Sequence, residues 1–266
     1  MGENMAQSGR ISVERRGAVL LIGLDRPEKR NGLTPEMFVA LNDAYTLLED
    51  DGALLVGILH AHGDHFTGGI DLPRFAAAMA EGSDLPHAPD KVDAFALRGR
   101  PRTKPVIAAV KGICFTAGIE LMLAADIVVA GSDCRFAQIE PKRGIMATGG
   151  ATFRFVERAG WGNAMRWLLT GGEFDAEEAR RIGFVQEIVA PAEVLDRAQA
   201  IAAEITDKAP LAVRATRSSA LTYATRGQDA AIAEFGVIQK GLAASADARE
   251  GVLSFVEKRP PRFTGH

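Results

Sequence analysis

A single carboxylate inside a long apolar segment is the feature that most constrains how this chain can fold. Glu120 lies within Thr116–Ala125, whose other residues are apolar or small, and a second acidic residue, Glu140, follows twenty positions later. Moving an unpartnered carboxylate out of water costs several kcal/mol or shifts its pKa by roughly 3–5 units. The fold must therefore bury this segment and still give Glu120 a partner or a chemical task. Together, the two glutamates can perform acid and base chemistry.

Both glutamates also have ordinary structural interpretations. Glu120 would lie in the first turn of a helix that begins near Ala117, where the helix dipole stabilises a carboxylate by about 0.3–1 kcal/mol. Glu140 could cap a turn before Pro141. Structural carboxylates are commoner than catalytic ones, so the neighbouring sequence has to separate these interpretations.

Two turns of small residues precede the glutamates. The first contains Gly68 and Gly69 and follows the strand-like run 54–59, and the second is Thr116–Gly118. Backbone N–H groups from two turns can converge on one carbonyl oxygen and form an oxyanion hole, where the loss of one donor costs roughly 10²–10³ in rate. The alternative is that both are ordinary tight turns.

Taken in order, these segments resemble the crotonase superfamily, which is also called the enoyl-CoA hydratase/isomerase family. The resemblance runs nearly end to end and depends on the ordered set of motifs. The matching segments are Leu24–Asn31, Phe66–Leu72, Val110–Leu121, Ala125–Ala130 and Phe136–Glu140.

The resemblance implies roles for particular residues. It assigns the two oxyanion N–H groups to Ile70 and Ala117, and the carboxylate pair of the hydratases to Glu120 and Glu140. Family members that only isomerise double bonds generally lack the first carboxylate, so the pair favours hydration. Dienoyl isomerases have an acidic residue where this chain has Thr148.

The implied function is therefore that of an enoyl-CoA hydratase, a lyase of fatty acid metabolism that adds water across the 2,3 double bond of a 2-enoyl-CoA. The alternatives are an enoyl-CoA isomerase or another crotonase-type acyl-CoA enzyme, and, from a different class, a catalytically silent CoA-binding scaffold. Hydratases commonly have consecutive glycines near Ala117, alanine at Ile70 and glycine at Thr148, so these positions bear on substrate choice.

The resemblance also implies how the substrate is held. It places Arg26, Lys29 and Arg30 near the phosphates of CoA, whereas a solvated turn is the alternative interpretation. It implies neither a metal nor a cofactor, because CoA is part of the substrate. His60, His62 and His65 have a spacing that could bind a metal, but zinc needs three or four ligands at fixed geometry and clustered loop histidines are more often solvated.

The resemblance implies an α/β fold, a crotonase-like spiral of ββα units with a helical C-terminal region that builds trimers, often paired into hexamers. The hydrophobic periodicity predicts strands near 18–24, 54–60, 106–110 and 184–189, and helices near 191–207, 210–226, 228–244 and 247–257. Pro35 begins a further helix after Thr34, and the segment 81–105 is predicted to be a mobile excursion. We divide the chain into a catalytic core at 1–200 and an oligomerisation region at 201–266.

Composition excludes several classes of protein. A net charge of −3 and a pI near 6.0 provide no general attraction to nucleic acid. Met1–Ala6 has no apolar signal core, and no segment approaches the ~20 apolar residues that a membrane helix needs. Cys114 and Cys134 lie in or near apolar segments and are predicted to be buried thiols, which favours a cytoplasmic protein.

Overall fold

Two β-sheets of different size organise this computed structural model, which describes residues 9–83 and 85–266. The larger sheet has six strands in the order β1-β2-β3-β4-β6-β9, and the smaller has three in the order β5-β7-β8. The strands are β1 (Arg10–Arg16), β2 (Val19–Asp25), β3 (Val56–Ala61), β4 (Val106–Val110), β5 (Ile113–Phe115), β6 (Ile127–Gly131), β7 (Arg135–Ala137), β8 (Glu173–Asp175) and β9 (Glu187–Val189).

Ten α-helices and three short 3₁₀ helices connect and cover these strands in the described residues. The α-helices are α1 (Pro35–Asp50), α2 (Leu72–Ala80), α3 (Ala117–Ala124), α4 (Ala151–Ala159), α5 (Trp161–Thr170), α6 (Ala176–Arg181), α7 (Val194–Thr206), α8 (Pro210–Arg226), α9 (Gln228–Ala243) and α10 (Ala246–Glu257). The 3₁₀ helices are Pro27–Lys29, Glu140–Arg143 and Pro191–Glu193. The predicted strands near 18–24, 54–60 and 106–110 and the four predicted C-terminal helices are confirmed, whereas only Glu187–Val189 of the strand predicted at 184–189 forms and 191–193 is a 3₁₀ helix. Thr34 caps α1 through its hydroxyl group, which accepts from the Met37 N–H.

The large sheet is parallel except for the β1–β2 hairpin at its edge. Strands β2, β3 and β4 are almost entirely buried. Continuous apolar strands of this kind are expected where helices cover both faces of a parallel sheet. Helix α7 covers one face by packing Val194, Ala198 and Ile201 against strand residues that include Leu21 and Ile58.

The small sheet controls where the two glutamates lie. Strand β5 pairs with β7 in parallel, so Phe115 lies opposite Ala137. The chain leaves β5 directly into α3, which carries Glu120, and leaves β7 toward the 3₁₀ helix that begins at Glu140. Parallel neighbouring strands end at the same edge of a sheet. The two segments that carry Glu120 and Glu140 therefore leave the small sheet at the same edge.

The segment predicted to be a mobile excursion is instead packed from residue 92 onward. Val92 and Phe95 are buried, and the Asp93 carboxylate accepts hydrogen bonds from the Phe95, Leu97 and Arg98 amides. The expectation of a loose segment was wrong here because buried side chains and carboxylate capping replace regular secondary structure.

The C-terminal helices are tied to the sheet by a charged cluster. The Asp126 carboxylate accepts from Arg102 Nη1 at 2.6 Å, from Arg217 Nε at 2.8 Å and from the Val106 N–H at 2.8 Å. Arg217 belongs to α8, so the cluster joins α8 to the start of β4 and β6. The predicted boundary at residue 200 falls inside α7, and the division into two functional regions stays a prediction.

The cysteines and the helices of the described residues can be compared with the predictions from composition. Cys114 and Cys134 are buried free thiols, as predicted. No helix among the described residues is long and apolar enough to cross a bilayer. The N-terminal segment Met1–Ala6 lies outside the described residues.

Candidate active site

Two turns with positive φ angles touch each other at the centre of the site. Gly69 has a φ of +104° and Thr116, which is not a glycine, has a φ of +50°. A Cβ atom added to Gly69 would collide with the Thr116 hydroxyl oxygen. Only glycine therefore allows this close approach, and it brings the residues that follow, Ile70 and Ala117, to a common cavity.

The backbone N–H groups of Ile70 and Ala117 have no hydrogen-bond partner among the described residues. Leu33 donates to the Gly69 carbonyl and accepts from the Asp71 N–H, both at 2.8 Å, which turns the N–H of Ile70 away from Leu33. Ala117 is the first residue of α3, where a helix has no internal acceptor for its N–H. Both groups remain available to a ligand oxygen, and their role as an oxyanion hole stays a prediction.

A buried asparagine holds the first of these turns in place. Asn31 is fully buried, has a φ of +51°, and donates through Nδ2 to the carbonyls of His62 at 2.9 Å and His65 at 2.8 Å. Its own carbonyl accepts from the Thr67 hydroxyl at 2.6 Å, and that hydroxyl accepts from the Gly69 N–H at 3.0 Å. Asn31 therefore fixes the turn that presents Ile70.

The cavity has a volume of about 230 Å³ and is mostly apolar. Both glutamates and both oxyanion candidates line it, together with side chains of α2 and of the segment after the 3₁₀ helix. These neighbours are Gly68, Leu72, Phe75, Ala78, Met79, Ser83, Leu85, Thr116, Ile139, Arg143, Ile145, Met146, Ala147 and Thr148.

Glu120 is 3% exposed, and helix α4 supplies its partner. Its Oε1 accepts from the Ala151 N–H at 3.0 Å, so the positive end of a second helix faces the carboxylate. Burial raises the pKa of Glu120, whereas the backbone amides of Ala151 and Gly149 and the charge of Arg154 act in the opposite direction. The helix-dipole interpretation of Glu120 therefore involves α4 as well as its own helix.

Glu140 has a different environment. Gln138 Nε2 donates to Glu140 Oε1 at 2.9 Å, while the buried Oε2 has no partner within residues 9–83 and 85–266. Burial raises the pKa of Glu140 to about 7, and the nearby charge of Glu120 adds to the effect. Near neutral pH this carboxyl group can hold a proton or release it.

The three cations predicted to meet CoA phosphates are not equally accessible. Arg26 is buried, and its Nη1 donates to Asp71 Oδ2 at 2.7 Å and to the Gly32 carbonyl at 2.9 Å. Lys29 and Arg30 are exposed in the adjoining turn. Phosphate binding by these residues stays a prediction, and Lys29 and Arg30 are the accessible members.

The three histidines do not converge on one point, although the His60 and His62 rings lie edge to face with centroids 5.3 Å apart. His62 Nε2 lies 2.7 Å from the Ser12 hydroxyl oxygen, and His65 Nδ1 accepts from the Ile113 N–H at 3.3 Å. Burial lowers the pKa of His60 to about 4, and the neighbouring His62 contributes. In residues 9–83 and 85–266, no group of three or more histidine, cysteine or acidic side chains is placed to hold a metal ion.

Sequence reasoning did not assign roles to Gln138, Gly149 or Arg154, which surround the two carboxylates. Gln138 lies two residues before Glu140, and the Gly149–Gly150 pair lies directly before a helix. Both are therefore local sequence features that could have marked these residues as candidates. Nothing local indicates that Gly149 packs against Glu120, because the contact joins residues 29 positions apart. A Cβ atom on Gly149 would collide with the Glu120 carboxylate.

Comparison with known proteins defines the class to which this site belongs. The family model described as enoyl-CoA hydratase/isomerase matches residues 14–266. The chain therefore belongs to the enoyl-CoA hydratase/isomerase family.

Particular relatives agree with this assignment. An enoyl-CoA hydratase of Mycobacterium tuberculosis is 34% identical over 94% of this chain and 95% of its own length. A carnitinyl-CoA dehydratase of Salmonella arizonae is 36% identical over 98% of this chain and 100% of its own. A crystal structure of a probable enoyl-CoA hydratase/isomerase from Mycobacterium abscessus superposes with a TM-score of 0.93 at 43% identity, covering 96% of this chain and 98% of that one. The predicted crotonase-like α/β fold is confirmed.

Proposed function

We propose that this protein is an enoyl-CoA hydratase that adds water across the 2,3 double bond of a 2-enoyl-CoA thioester. The observation that carries the proposal is the meeting of two buried carboxylates, Glu120 and Glu140, with two unpartnered backbone N–H groups at one apolar cavity. Addition of water to a conjugated thioester needs a base, an acid and stabilisation of an enolate-like oxygen. The cavity supplies a carboxyl group for the base, a second for the acid and two N–H donors for the oxygen.

The thioester oxygen would accept hydrogen bonds from the N–H groups of Ile70 and Ala117. These donors are fixed by the backbone, so they stabilise the developing negative charge without reorganisation. Glu120 would orient a water molecule and take its proton as the oxygen attacks C3. Glu140 would share that water and protonate C2. No further cofactor is required, because CoA belongs to the substrate.

The unequal environments support this division of roles. Burial raises the pKa of Glu120, but two backbone amides and a cation oppose this effect and favour the charged form that a base requires. Glu140 receives a single side-chain donor and its pKa is raised to about 7, as a proton donor at neutral pH requires. Paired carboxyl groups with different environments are a common way of separating base from acid.

The lining of the cavity favours an uncharged acyl group. A quaternary ammonium, as in a carnitinyl thioester, is bound by aromatic faces or by carboxylates. Phe75 is the single aromatic residue among the described lining residues, and Arg143 would repel a cation. The two carboxylates of the lining, Glu120 and Glu140, are assigned to proton transfer and not to binding a cation. Dehydration of a 3-hydroxyacyl-CoA uses the same groups in reverse, so the similarity to carnitinyl-CoA dehydratases is compatible with hydratase chemistry on a neutral chain.

Turnover measured with a panel of thioesters tests the proposal. Loss of the absorbance of the conjugated thioester would be followed with neutral 2-enoyl-CoAs of several lengths and with the dehydration product of carnitinyl-CoA. Hydration of the neutral substrates is expected. Activity confined to the cationic thioester would overturn the proposed substrate class, and inactivity toward every thioester would favour a silent CoA-binding scaffold.

Replacement of each glutamate by glutamine assigns the two roles. Glu120→Gln and Glu140→Gln should each lower turnover by roughly 10²–10⁴ with little effect on folding or CoA binding, because the amide keeps the shape and loses the proton chemistry. The exposed Glu177 serves as a matched control, and Glu177→Gln should be fully active. Retained hydration in either active-site variant would remove that residue from the mechanism. If Glu120→Gln loses hydration but still isomerises a 3-enoyl-CoA, the role of Glu120 as the base for water addition is supported.

The helical C-terminal region supports a further proposal, that the protein assembles into trimers or hexamers. Tyr223, Phe235 and Phe255 are 61%, 52% and 84% exposed. An apolar groove of about 740 Å³ lies between α8 and α9. Exposed apolar surface of this extent is typical of subunit interfaces. We also propose a cytoplasmic location, which the buried free thiols Cys114 and Cys134 favour, and a role in fatty acid metabolism, which follows from the proposed enoyl-CoA substrate.

A further inference from the structure

Arg154 is a buried cation close to the active-site carboxylates that sequence reasoning did not single out. It lies in the first turn of α4 and is 8% exposed. In the described part of the chain it forms no salt bridge, and its donors are directed to carbonyl groups. Nη1 donates to the Gly149 carbonyl at 3.1 Å, and Nη2 donates to the Phe95 and Ala96 carbonyls at 2.6 and 3.5 Å. Burying a charge costs desolvation free energy, which favourable interactions with nearby groups must offset.

One short turn separates this cation from Glu120. The turn Gly149–Ala151 donates the Ala151 N–H to the Glu120 carboxylate, and the Gly149 carbonyl accepts from Arg154. Gly150, in the middle, has a φ of +109°, a left-handed conformation that other residues rarely adopt. The turn is therefore held by the carboxylate on one side and by the guanidinium on the other.

The second anchor of Arg154 is rigid. Phe95 stacks on Phe38 of α1 with ring centroids 5.4 Å apart, and the Asp93 carboxylate accepts from the Phe95 N–H at 3.0 Å. A guanidinium that joins this packed segment to the Gly149 carbonyl fixes the position of the turn relative to the core.

We propose that Arg154 is the positioning residue for Glu120: it clamps the Gly149–Ala151 turn so that its amides stay on the carboxylate, and its positive charge favours the ionised form of that buried group. The catalytic consequence depends on the proposed hydratase function, whereas the effect on Glu120 itself does not.

The charges around the pair define the sign of the expected effect. Burial raises the pKa of Glu120, and Arg154 opposes it. Glu140 faces Glu120 from the 3₁₀ helix, and its pKa is affected by the Glu120 charge. Glu157 and Arg158 of α4 and Asp93 of the packed segment act on Arg154. Removal of the cation should therefore raise the pKa of Glu120 further, so that a base needed in its ionised form becomes active only at higher pH.

The experiment compares neutral and charged replacements of Arg154 with a control on the same helix. Arg154→Met and Arg154→Gln remove the charge, and Arg154→Lys keeps it. Arg158, one turn later, is also partly buried and donates to the Leu123 and Ala125 carbonyls at 3.1 and 3.3 Å, so Arg158→Met removes a comparable side chain away from the turn. Melting temperature, the pH profile of kcat and substrate-free infrared titration of the carboxylic-acid C=O stretch would be measured for each. The Glu120 band is assigned by its loss in Glu120→Gln.

We expect both neutral variants to move the rising limb of kcat and the infrared titration of Glu120 to higher pH by about one unit. They should also lower the maximal kcat about tenfold or more with little change in KM, because a misplaced base acts mainly on the chemical step. Arg154→Lys and Arg158→Met should titrate like the natural protein, and Arg154→Gln decides the outcome if Arg154→Met does not fold.

If the Arg154 variants have a lower melting temperature but Glu120 titrates at the same pH as in the natural protein, the proposal is overturned. A merely structural residue would behave in that way. An equal shift in Arg158→Met would also overturn it, because the effect would then belong to any arginine of α4. If the natural protein hydrates no enoyl-CoA, the proposed function fails, and the infrared titration still decides the role of Arg154.

Discussion

At the scale of single residues, Gln138 controls how Glu140 can be used. Its amide donates to Oε1 and leaves the buried Oε2 unpartnered, so one oxygen is fixed and the other is available for a water molecule or a proton. A donated hydrogen bond favours the charged form of a carboxylate. Gln138 therefore keeps the pKa of Glu140, at about 7, lower than burial alone would make it.

This arrangement predicts a pH dependence for the free enzyme. If Glu140 must carry a proton, kcat/KM should fall as the pH rises through about 7. Gln138→Leu removes the donor and should move this falling limb to higher pH by about half to one unit, since a hydrogen bond of about 1 kcal/mol corresponds to that range. Gln186→Leu is a control outside the cavity. A limb that stays in place would exclude Glu140 as its source.

Ala117 should act through its backbone alone. Ala117→Gly keeps the N–H and should be tolerated. Ala117 is 3% exposed and lines the cavity, so Ala117→Val would place extra volume there. Turnover of Ala117→Val should fall by up to about 10²-fold, more than CoA affinity falls, because the oxyanion hole is most complementary to the transition state. Melting temperature, CoA affinity and kcat measured on both variants test this. Full activity of Ala117→Val would exclude Ala117 from the site.

At the scale of secondary-structure elements, parallel pairing explains how two distant carboxylates meet. Strands β5 and β7 are only three residues long, yet their pairing fixes the relative positions of α3 and of the 3₁₀ helix that follow them. The Asp126 cluster fixes the first residues of β4 and β6 and also holds α8. The active site therefore depends on an ion cluster that lies outside it.

The Asp126 cluster should make stability sensitive to acid. Burial alone would raise the pKa of Asp126, but Arg102 and Arg217 hold it below its ordinary value. A carboxylate with a lowered pKa stabilises the fold above its unfolded pKa of about 4 and loses that contribution as the pH falls through the folded value. Asp126→Asn should therefore cost about 3 kcal/mol at pH 7, and the difference from the natural protein should shrink below about pH 4.

Urea denaturation at pH 7 and pH 3.5 measures this effect. Asp207→Asn is a suitable control, because Asp207 is exposed at the end of α7. Equal losses of stability at the two pH values would mean that the cost of Asp126→Asn is a packing effect rather than a loss of charge pairing.

At the scale of the whole molecule, the apolar faces of α8, α9 and α10 determine the expected assembly. A monomer would leave Ile232, Phe235 and Phe255 half exposed or more. Light scattering should give a mass three or six times the chain mass of 28.3 kDa. Phe235→Glu should lower that mass, because a charge cannot be buried in an apolar interface without a partner. Val13→Glu, at an exposed position on β1, should leave it unchanged. A monomer at micromolar concentration would contradict the proposal.

Local sequence patterns were enough to predict the main elements and to single out the two carboxylates. The apolar runs of β2, β3 and β4 and the spacing of the C-terminal helices are local patterns, so they predict structure without knowledge of distant neighbours. Glu120 could be singled out for the same reason, since a charge in an apolar run is visible locally.

The groups that surround those carboxylates are brought there by long-range packing, which local patterns do not reveal. The Ala151 N–H reaches the Glu120 carboxylate from α4, more than thirty positions away, and Arg154 of the same helix donates to the adjacent Gly149 carbonyl. Arg26 is turned inward by Asp71, 45 positions away. The packing of residues 92–105 against α1 is likewise a long-range outcome. Electrostatic environment depends on distance in space and on burial, and neither follows from local sequence, so the chain indicated which residues are chemically unusual while the fold set the state in which each one is held.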